Sequence, residues 1–324
     1  MTQAPATLSV IICTWNRADT LRETLDSLSR QQGVDPAGVE VIVVDNNSSD
    51  HTRQTVEAAI AAWPLGTLRY AFEPRQGKQF ALNQGVGLAS HEILAFTDDD
   101  IQFPTNWLCN VLQVVADEGV DLAGGKTLIR WPAAGKPNWY ADDMLAIVGG
   151  VDLGDRRLDP SPKEYGPAGA NLIARRSLFG RVRGYSEIHF RHMDHEFGLR
   201  CQARGIRVVY DPRLVVYAPV DEACLTPRYF RRWSFKAGIT RSGGVEATRE
   251  RLPRVQPWIY RQAMEDAVIV ALGRLRPTTP QSFSRELRLW RAWGTIANAW
   301  HAWLRPGRHA DWVEQRSEKK NNLY

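Results

Sequence analysis

Three consecutive carboxylates, Asp98-Asp99-Asp100, carry the plainest chemistry in this chain. Adjacent carboxylates repel one another and cost stability unless a cation offsets them. Their hard oxygens suit Mg²⁺ or Mn²⁺, which are commonly held by a few carboxylates together with substrate phosphates. If the run continues a strand, Asp98 and Asp100 share a face, because side chains at i and i+2 do. The alternative is a solvated acidic loop ahead of Pro104, and the run alone does not choose between the two. Asp45 closes the segment VEVIVVDNNSSD. A carboxylate there can accept hydrogen bonds from a base or ribose, or serve simply as a turn residue, since Asn46–Asp50 is turn-forming in its own right. Asp194 and Glu196 lie two apart ahead of a helical stretch. Either can take a hydroxyl proton as a general base, and either can cap the helix or pair with Arg191 or Arg200.

These residues need elements to position them. LSVIICT at 8–14 and VEVIVV at 39–44 are unbroken apolar runs that read as buried strands. Residues 67–72 and 92–100 read as a third and fourth strand, the last running into the acidic triplet. Helices are expected at 18–32, where Leu21, Leu25 and Leu28 keep helical spacing, and at 52–62 and 77–89. The alternation predicts an α/β fold: a doubly wound, mostly parallel sheet with helices on both faces. Ligands of such sheets sit beyond the carboxyl ends of the strands. Thr14–Arg17, Asp45 and Asp98–Asp100 all fall there, so three distant polar clusters are expected to meet in one crevice. Further along, a helix is expected near 105–118, a strand near 121–129, a loop over 131–165 and a glycine-rich turn leading to a strand and helix start at 166–179. A helix at 193–205 and two more strands, IRVVYDP and LVVYAP, follow. Beyond about residue 225 helices take over.

The composition is that of a folded protein: 324 residues, 44% hydrophobic and 24% charged. Cys13, Cys109, Cys201 and Cys224 are scattered without a CxxC pair, which argues against a zinc site or disulfide scaffold and for a reducing compartment. The start MTQAPATLSV lacks a secretory pattern, and the longest apolar candidate, 267–273, is far short of the ~18 residues that span a bilayer. A cytoplasmic location is therefore expected, with the chain at most peripheral on the inner face of the plasma membrane. GVGLAS at 85–90 lacks both a preceding strand and the third glycine of a dinucleotide fingerprint. No phosphate loop of the GxxxxGK[ST] type is present, and no nucleic-acid-binding signature accompanies the basic tail.

Five stretches together resemble the family 2 glycosyltransferases of the GT-A fold: SVIICTWNRADTLRETLDSL, VIVVDNNSSDHT, GKQFALNQGVGLASHEILAFTDDD, GANLIARRSLFGRVRGYSE and MDHEFGLRCQARGIRVVYDP. They occur in the family's order over about residues 8–219. The resemblance implies an inverting enzyme that uses a nucleotide-sugar, a UDP-sugar by default, and a divalent metal. It implies that Thr14, Asn16, Arg17, Asp45 and Lys78 line the nucleotide pocket. Asp98, with Asp99 beside it, would lie near the ribose and diphosphate. Asp100 would ligate the metal, with Asp98 as its partner in the DXD-type motif. Gly169, Ala170 and Asn171 would floor the donor sugar, Asp194 would be the base, and Glu196 would be a second acidic position. Arg232 and Trp233, in YFRRW, loosely resemble the QxxRW of processive polysaccharide synthases and would contact acceptor or diphosphate. Two departures stand out. Met193 occupies the place of a common glutamate, and Ala218 stands where a metal-assisting histidine is frequent. His189, His192 and His195 lie instead near Asp194.

On this reading residues 1–224 form the catalytic domain, with a nucleotide half at about 1–104 and an acceptor half at about 105–224. Residues 225–324 form a helical extension holding 19 Lys and Arg against 8 Asp and Glu, a net of +11, with seven of the twelve tryptophans. Within it, 283–304 is amphipathic: Trp290, Trp293, Ala297, Trp300 and Leu304 share an arc, with Arg288, Arg291 and Arg305 largely opposite. Such a helix suits an anionic membrane surface, or packing on its own domain or in a homodimer. The acceptor expected is a glycan or lipid-linked hydroxyl in surface polysaccharide assembly. A catalytically silent nucleotide-binding scaffold and a sugar nucleotidyltransferase are the competing readings. The second lacks its usual glycine-rich phosphate loop after the first strand.

Overall fold

A computed structural model describes residues 7–117, 119–163, 165–187, 193–241, 255–273, 279–309 and 311–313. Packing divides the chain into two compact units, one of residues 1–130 and 150–219, the other of 131–149 and 220–324. The division expected at residue 225 is linear, whereas packing also assigns 131–149 to the second unit.

The first unit is built on β1 (Leu8–Thr14), α1 (Ala18–Leu28), β2 (Val39–Asp45), α2 (Thr52–Ala61), β3 (Thr67–Phe72), α3 (Lys78–Leu88), β4 (Ile93–Asp98), α4 (Trp107–Val115), β5 (Leu122–Arg130), β6 (Leu172–Arg175), α5 (Arg176–Val182), α6 (Met193–Ala203) and β7 (Val208–Pro219). The sheet order is β3-β2-β1-β4-β6-β5-β7. All pairings are parallel except those of β6, which runs antiparallel to both β4 and β5. Every residue of β1 and β2 is buried, as expected of strands covered on both faces. Alternate residues go to opposite sides. Val10 and Ile12 pack with Leu21 and Leu25 of α1 and with Trp107 of α4. Ile11 and Cys13 pack with Ala81 of α3 and with Phe179 and Phe197 of α5 and α6.

Two details depart from the sequence expectation. IRVVYDP and LVVYAP are one strand, β7, not two. Its register against β5 slips between Gly124 and Lys126, where β7 bows over Gly125. A Cβ on Gly125 would lie 2.1 Å from the Leu214 carbonyl oxygen, so only glycine admits the bow. Pro212 is tolerated because it sits in that irregular segment of an edge strand. The fourth strand ends at Asp98, so Asp99 and Asp100 lie in a turn and the i, i+2 argument does not hold for Asp98 and Asp100.

The described residues of the second unit include a short 3-10 helix (Asp142–Val148) with α7 (Pro227–Arg241), α8 (Pro257–Gly273) and α9 (Pro280–Leu304). Its core joins Tyr140, Met144 and Ile147 to Phe230, Phe283 and Leu287, with Trp139 stacked edge-on against Phe230 and Phe283. α9 begins with Pro280 behind a reciprocal cap, in which Thr279 and Ser282 exchange side chain-to-backbone hydrogen bonds of 3.2 and 2.9 Å. α7 and α9 cross at Gly238 and Gly294. A Cβ at either would approach the other helix's carbonyl oxygen to 2.0 Å. No described helix is long and apolar enough to cross a membrane.

Candidate functional site

The sheet's topology reverses between β1 and β4, and ligands bind at such points. The register aligns the strand ends there: Thr14 opposite Asp45, and Cys13 opposite Asp98. The three polar clusters expected from the sequence therefore stand at one edge of the sheet.

The nucleotide-side turns are tied together by side chains. Asn16 adopts a left-handed backbone (φ 52°), a conformation asparagine tolerates. Its Oδ1 accepts the Ser49 amide at 2.7 Å, and its own amide donates to Ser48 Oγ at 2.9 Å. Asp45 is 2% exposed. Its Oδ1 accepts the Ser48 amide at 2.9 Å and its Oδ2 accepts the Tyr70 hydroxyl at 2.8 Å. Burial and then the Asp45 carboxylate push the Tyr70 hydroxyl up to about 12. Asp45 is thus a turn anchor, the second of its two sequence readings. Trp15, between Thr14 and Asn16, is left 41% exposed.

The acidic run has its own counter-charges. Lys78, the first residue of α3, donates its ammonium to Asp98 Oδ1. Arg17 Nη1 donates to Asp99 Oδ1 at 3.0 Å and to Asp100 Oδ2 at 2.7 Å. Burial penalises the Lys78 ammonium, but the Asp98 carboxylate outweighs it and holds the lysine above its ordinary value, with Asp194 adding to the effect. Burial penalises Arg17 likewise, and Asp99 and Asp100 more than compensate. For Asp99 the balance goes the other way, since burial keeps its carboxyl above the usual range despite Arg17. The Asp99 carbonyl also accepts the Thr24 hydroxyl at 2.9 Å, fastening the turn to α1. Lys78 is aimed by a residue the sequence reading passed over, Asn46. The Asn46 side chain accepts the Gly77 amide at 2.8 Å and donates to the Arg75 carbonyl at 2.6 Å, fixing the loop that launches α3. Tyr70 was missed too, although the parallel register of β2 and β3 sets it opposite Val43, two residues short of Asp45.

From the other half of the sheet comes Asp194, in the first turn of α6. Its Oδ2 accepts the Gly169 amide at 2.6 Å and its Oδ1 accepts the His195 amide at 2.9 Å. A Cβ on Gly169 would sit 3.2 Å from Asp194 Oδ2, so the close approach favours glycine. Asn171 is 1% exposed and fully engaged: Trp107 Nε1 donates to its Oδ1 at 3.1 Å, and its amide donates to the Lys126 and Leu214 carbonyls at 3.0 and 2.9 Å. It thereby fixes the backbone next to the buried Ala170. Glu196 holds Arg200 through a two-pronged pair at 2.7 and 2.9 Å, one helical turn on. Met193 is buried in the core and Ala218 pairs with Ile129 in the β5–β7 ladder. The Tyr185 hydroxyl, buried and without a hydrogen-bond partner among the described residues, lies in the field of Asp194 and Asp98.

Arg232 and Trp233 lie on α7 in the second unit, and Trp233 packs against its aromatic core. His189, His192 and Arg191 lie outside the described residues. Among the described residues no group of three or more His, Cys, Asp or Glu side chains is arranged to hold a metal. Asp98 and Asp100 supply two hard oxygen donors, the small protein share that Mg²⁺ or Mn²⁺ accepts when phosphates and water complete its shell. The donor set fits a cation that arrives with a diphosphate.

Residues 9–180 match the family model for glycosyl transferase family 2. The chain is 32% identical over 135 residues to glycosyltransferase AglE of Haloferax volcanii, a match covering 42% of this chain and 44% of that protein's length. It is 26% identical over 238 residues to succinoglycan biosynthesis protein ExoM of Rhizobium meliloti, covering 72% of this chain and 73% of that one. Among solved structures, mannosyltransferase PcManGT from Pyrobaculum calidifontis, in complex with GDP-Man and Mn²⁺, shares the fold with a TM-score of 0.55 and 19% identity, over 98% of this chain and 87% of that one.

Proposed function

The chain belongs to glycosyl transferase family 2, and from that premise we propose that it transfers a sugar, with inversion, from a nucleotide-sugar to a hydroxyl of a glycan or lipid-linked acceptor. A UDP-sugar is the default donor, and surface polysaccharide assembly is the setting that fits the similarity to ExoM. The observation that carries this reading is the Lys78–Asp98 pair at the carboxyl end of β4, together with Asp194 fixed by the Gly169 amide next to the antiparallel neighbour strand β6. A diphosphate needs cations, and an attacking hydroxyl needs a base on the far side of the sugar; Lys78 would serve the first need and Asp194 the second.

In the proposed reaction the nucleotide lies along Thr14–Arg17 and Asp45, with its diphosphate toward Lys78. Asp98 and Asp100 would hold a divalent metal, which when bound would offset charge on the diphosphate. Gly169 and Ala170 floor the sugar. The acceptor oxygen attacks the anomeric carbon while Asp194 takes its proton, and the bond to the nucleoside diphosphate breaks. The Gly169 and His195 amides hold both oxygens of Asp194 in place, which keeps the base oriented. Lys78 faces the growing negative charge of the leaving group, an arrangement in which fixed charge is worth most. Arg17 already offsets the Asp100 charge through Oδ2, so a bound metal would share that carboxylate with the guanidinium.

The reading is tested by screening nucleotide-sugars in a thermal-shift assay with and without Mg²⁺ or Mn²⁺, then following nucleotide release. A true donor raises the melting temperature by mass action, and EDTA abolishes both the shift and turnover. Turnover that persists in EDTA would refute the metal. A chain that no nucleotide-sugar stabilises would refute the donor.

A further inference from the structure

The second unit is apolar on the side where a helix in water is ordinarily polar. α9 packs through Phe283, Leu287, Gly294, Asn298, Ala299 and Ala302. Arg288 turns to that same side and grips the buried Asp266 of α8 at 2.6 and 2.5 Å. The tryptophan arc points the other way: Trp293 is 58% exposed, Leu304 62%, and Trp290, Trp300 and Trp303 38–39%. The arc therefore lies off the buried side of the helix, touching its own unit where Trp290 meets the Phe235 ring and Trp300 the Tyr260 hydroxyl. α8 behaves alike. It buries Ala263 and Asp266 and turns Trp258, Met264, Val268, Ile269 and Leu272 outward. Where α8 begins and α9 ends, these surfaces join. Trp300 Nε1 donates to the Tyr260 hydroxyl at 3.1 Å, and the Trp300 and Trp303 rings meet edge-on at 5.8 Å. Arg305 and Arg308 follow directly, exposed and without a carboxylate partner among the described residues.

Contiguous apolar surface of this kind marks an interaction site, and charge selects its occupant. A second copy would set this basic region, net +11 over residues 225–324, against itself across a two-fold axis. An anionic lipid surface complements it, and tryptophan rimmed by arginine is the composition of helices that lie in a membrane interface. We propose that the outward faces of α8 and α9 dock the chain on an anionic membrane, Trp258, the Trp300–Trp303 pair and the α8 stripe entering the headgroup layer and Arg305 and Arg308 meeting lipid phosphates. This deepens the lipid-linked-acceptor reading and rests on it for its purpose. Its test does not depend on transfer.

The test is flotation of the full chain with phosphatidylcholine vesicles, with and without phosphatidylglycerol. The chain floats with the anionic vesicles at low salt, and added salt releases it. Val268→Glu with Trp303→Glu abolishes flotation while leaving the melting temperature, gel-filtration volume and transfer to a water-soluble acceptor unchanged. Arg305→Glu with Arg308→Glu lowers partitioning on the order of tenfold or more, from roughly fivefold per surface cation. A chain that stays unbound at low salt, or variants that float like the parent, would overturn the proposal. So would a dimer that Val268→Glu with Trp303→Glu dissociates, which would assign the face to a second copy. A chain that floats but never transfers sugar would refute the catalytic reading and leave this one standing.

Discussion

Lys78→Met separates two things that one ammonium can do. In the folded chain it pairs with Asp98, so its loss removes an ammonium partner from that carboxylate. An ion pair at ~4 Å and an effective dielectric of ~20 is worth about 4 kcal/mol before solvent is counted. The Lys78 and Asp98 side chains are 39% and 32% exposed, however, and pairs so exposed contribute about 1 kcal/mol or less to stability. A diphosphate seated on Lys78 would instead gain a charge-assisted hydrogen bond of about 1.5–3 kcal/mol, roughly a ten- to hundredfold change in Kd. The expected outcome is therefore lopsided: a small drop in denaturant midpoint, and donor binding by calorimetry weakened ten- to hundredfold. A variant that loses several kcal/mol of stability yet binds the donor normally would show that Lys78 is only a structural partner of Asp98.

Asn171→Ala should act mainly on stability. It strips the Trp107 indole and the Lys126 and Leu214 carbonyls of a buried partner, a loss of about 2–4 kcal/mol in denaturant unfolding; a loss under about 0.5 kcal/mol would contradict its bracing role. Acid should unfold the chain partly through Glu40. Burial raises that carboxyl, but hydrogen bonds from Ser9, Ser90 and Arg69 outweigh it and hold the group below its ordinary value. A depressed carboxyl contributes stability above its unfolded pKa, and that contribution is lost as pH falls through the folded value. The denaturant midpoint should stay level from about pH 7 to 5 and fall below about pH 4.5, with Glu40→Gln flattening the fall. Superimposable acid limbs for the variant and parent would rule Glu40 out.

The strands that build the crevice were legible because each is a short apolar run closed by a polar residue. LSVIICT and VEVIVV became β1 and β2 nearly as read, and Asp45 and Asp98 stand at strand ends as expected. What the acidic triplet does locally was not legible. Strand geometry suggested that Asp98 and Asp100 share one strand face, but β4 stops at Asp98, and Lys78 and Arg17 divide the triplet's charge between them. Those partners come from turns 20 and more than 80 residues away, and no local pattern encodes such a meeting. Asn46 escaped notice for a similar reason: in a turn-forming string any asparagine looks like a turn residue, and its grip on Gly77 appears only when the β2 and β3 ends are side by side. The two-strand reading of 206–219 failed at Pro212, because a proline normally ends a strand and only Gly125 across the ladder lets β7 bow past it. The tryptophan arc of α9 was visible as periodicity, but its direction was not. That depended on Asp266 lying buried where Arg288 could reach it.

Asp194→Asn tests most directly whether Asp194 is the base. Asparagine keeps the size of the side chain and one acceptor for the Gly169 amide, so the fold and the donor pocket should survive. The measurement is donor affinity and single-turnover transfer on the same preparation. The expected result is donor Kd within about threefold of the parent, with transfer slowed by ~10²–10⁴-fold, as removal of a positioned base does. Transfer at the parental rate by a folded, donor-binding Asp194→Asn would contradict it.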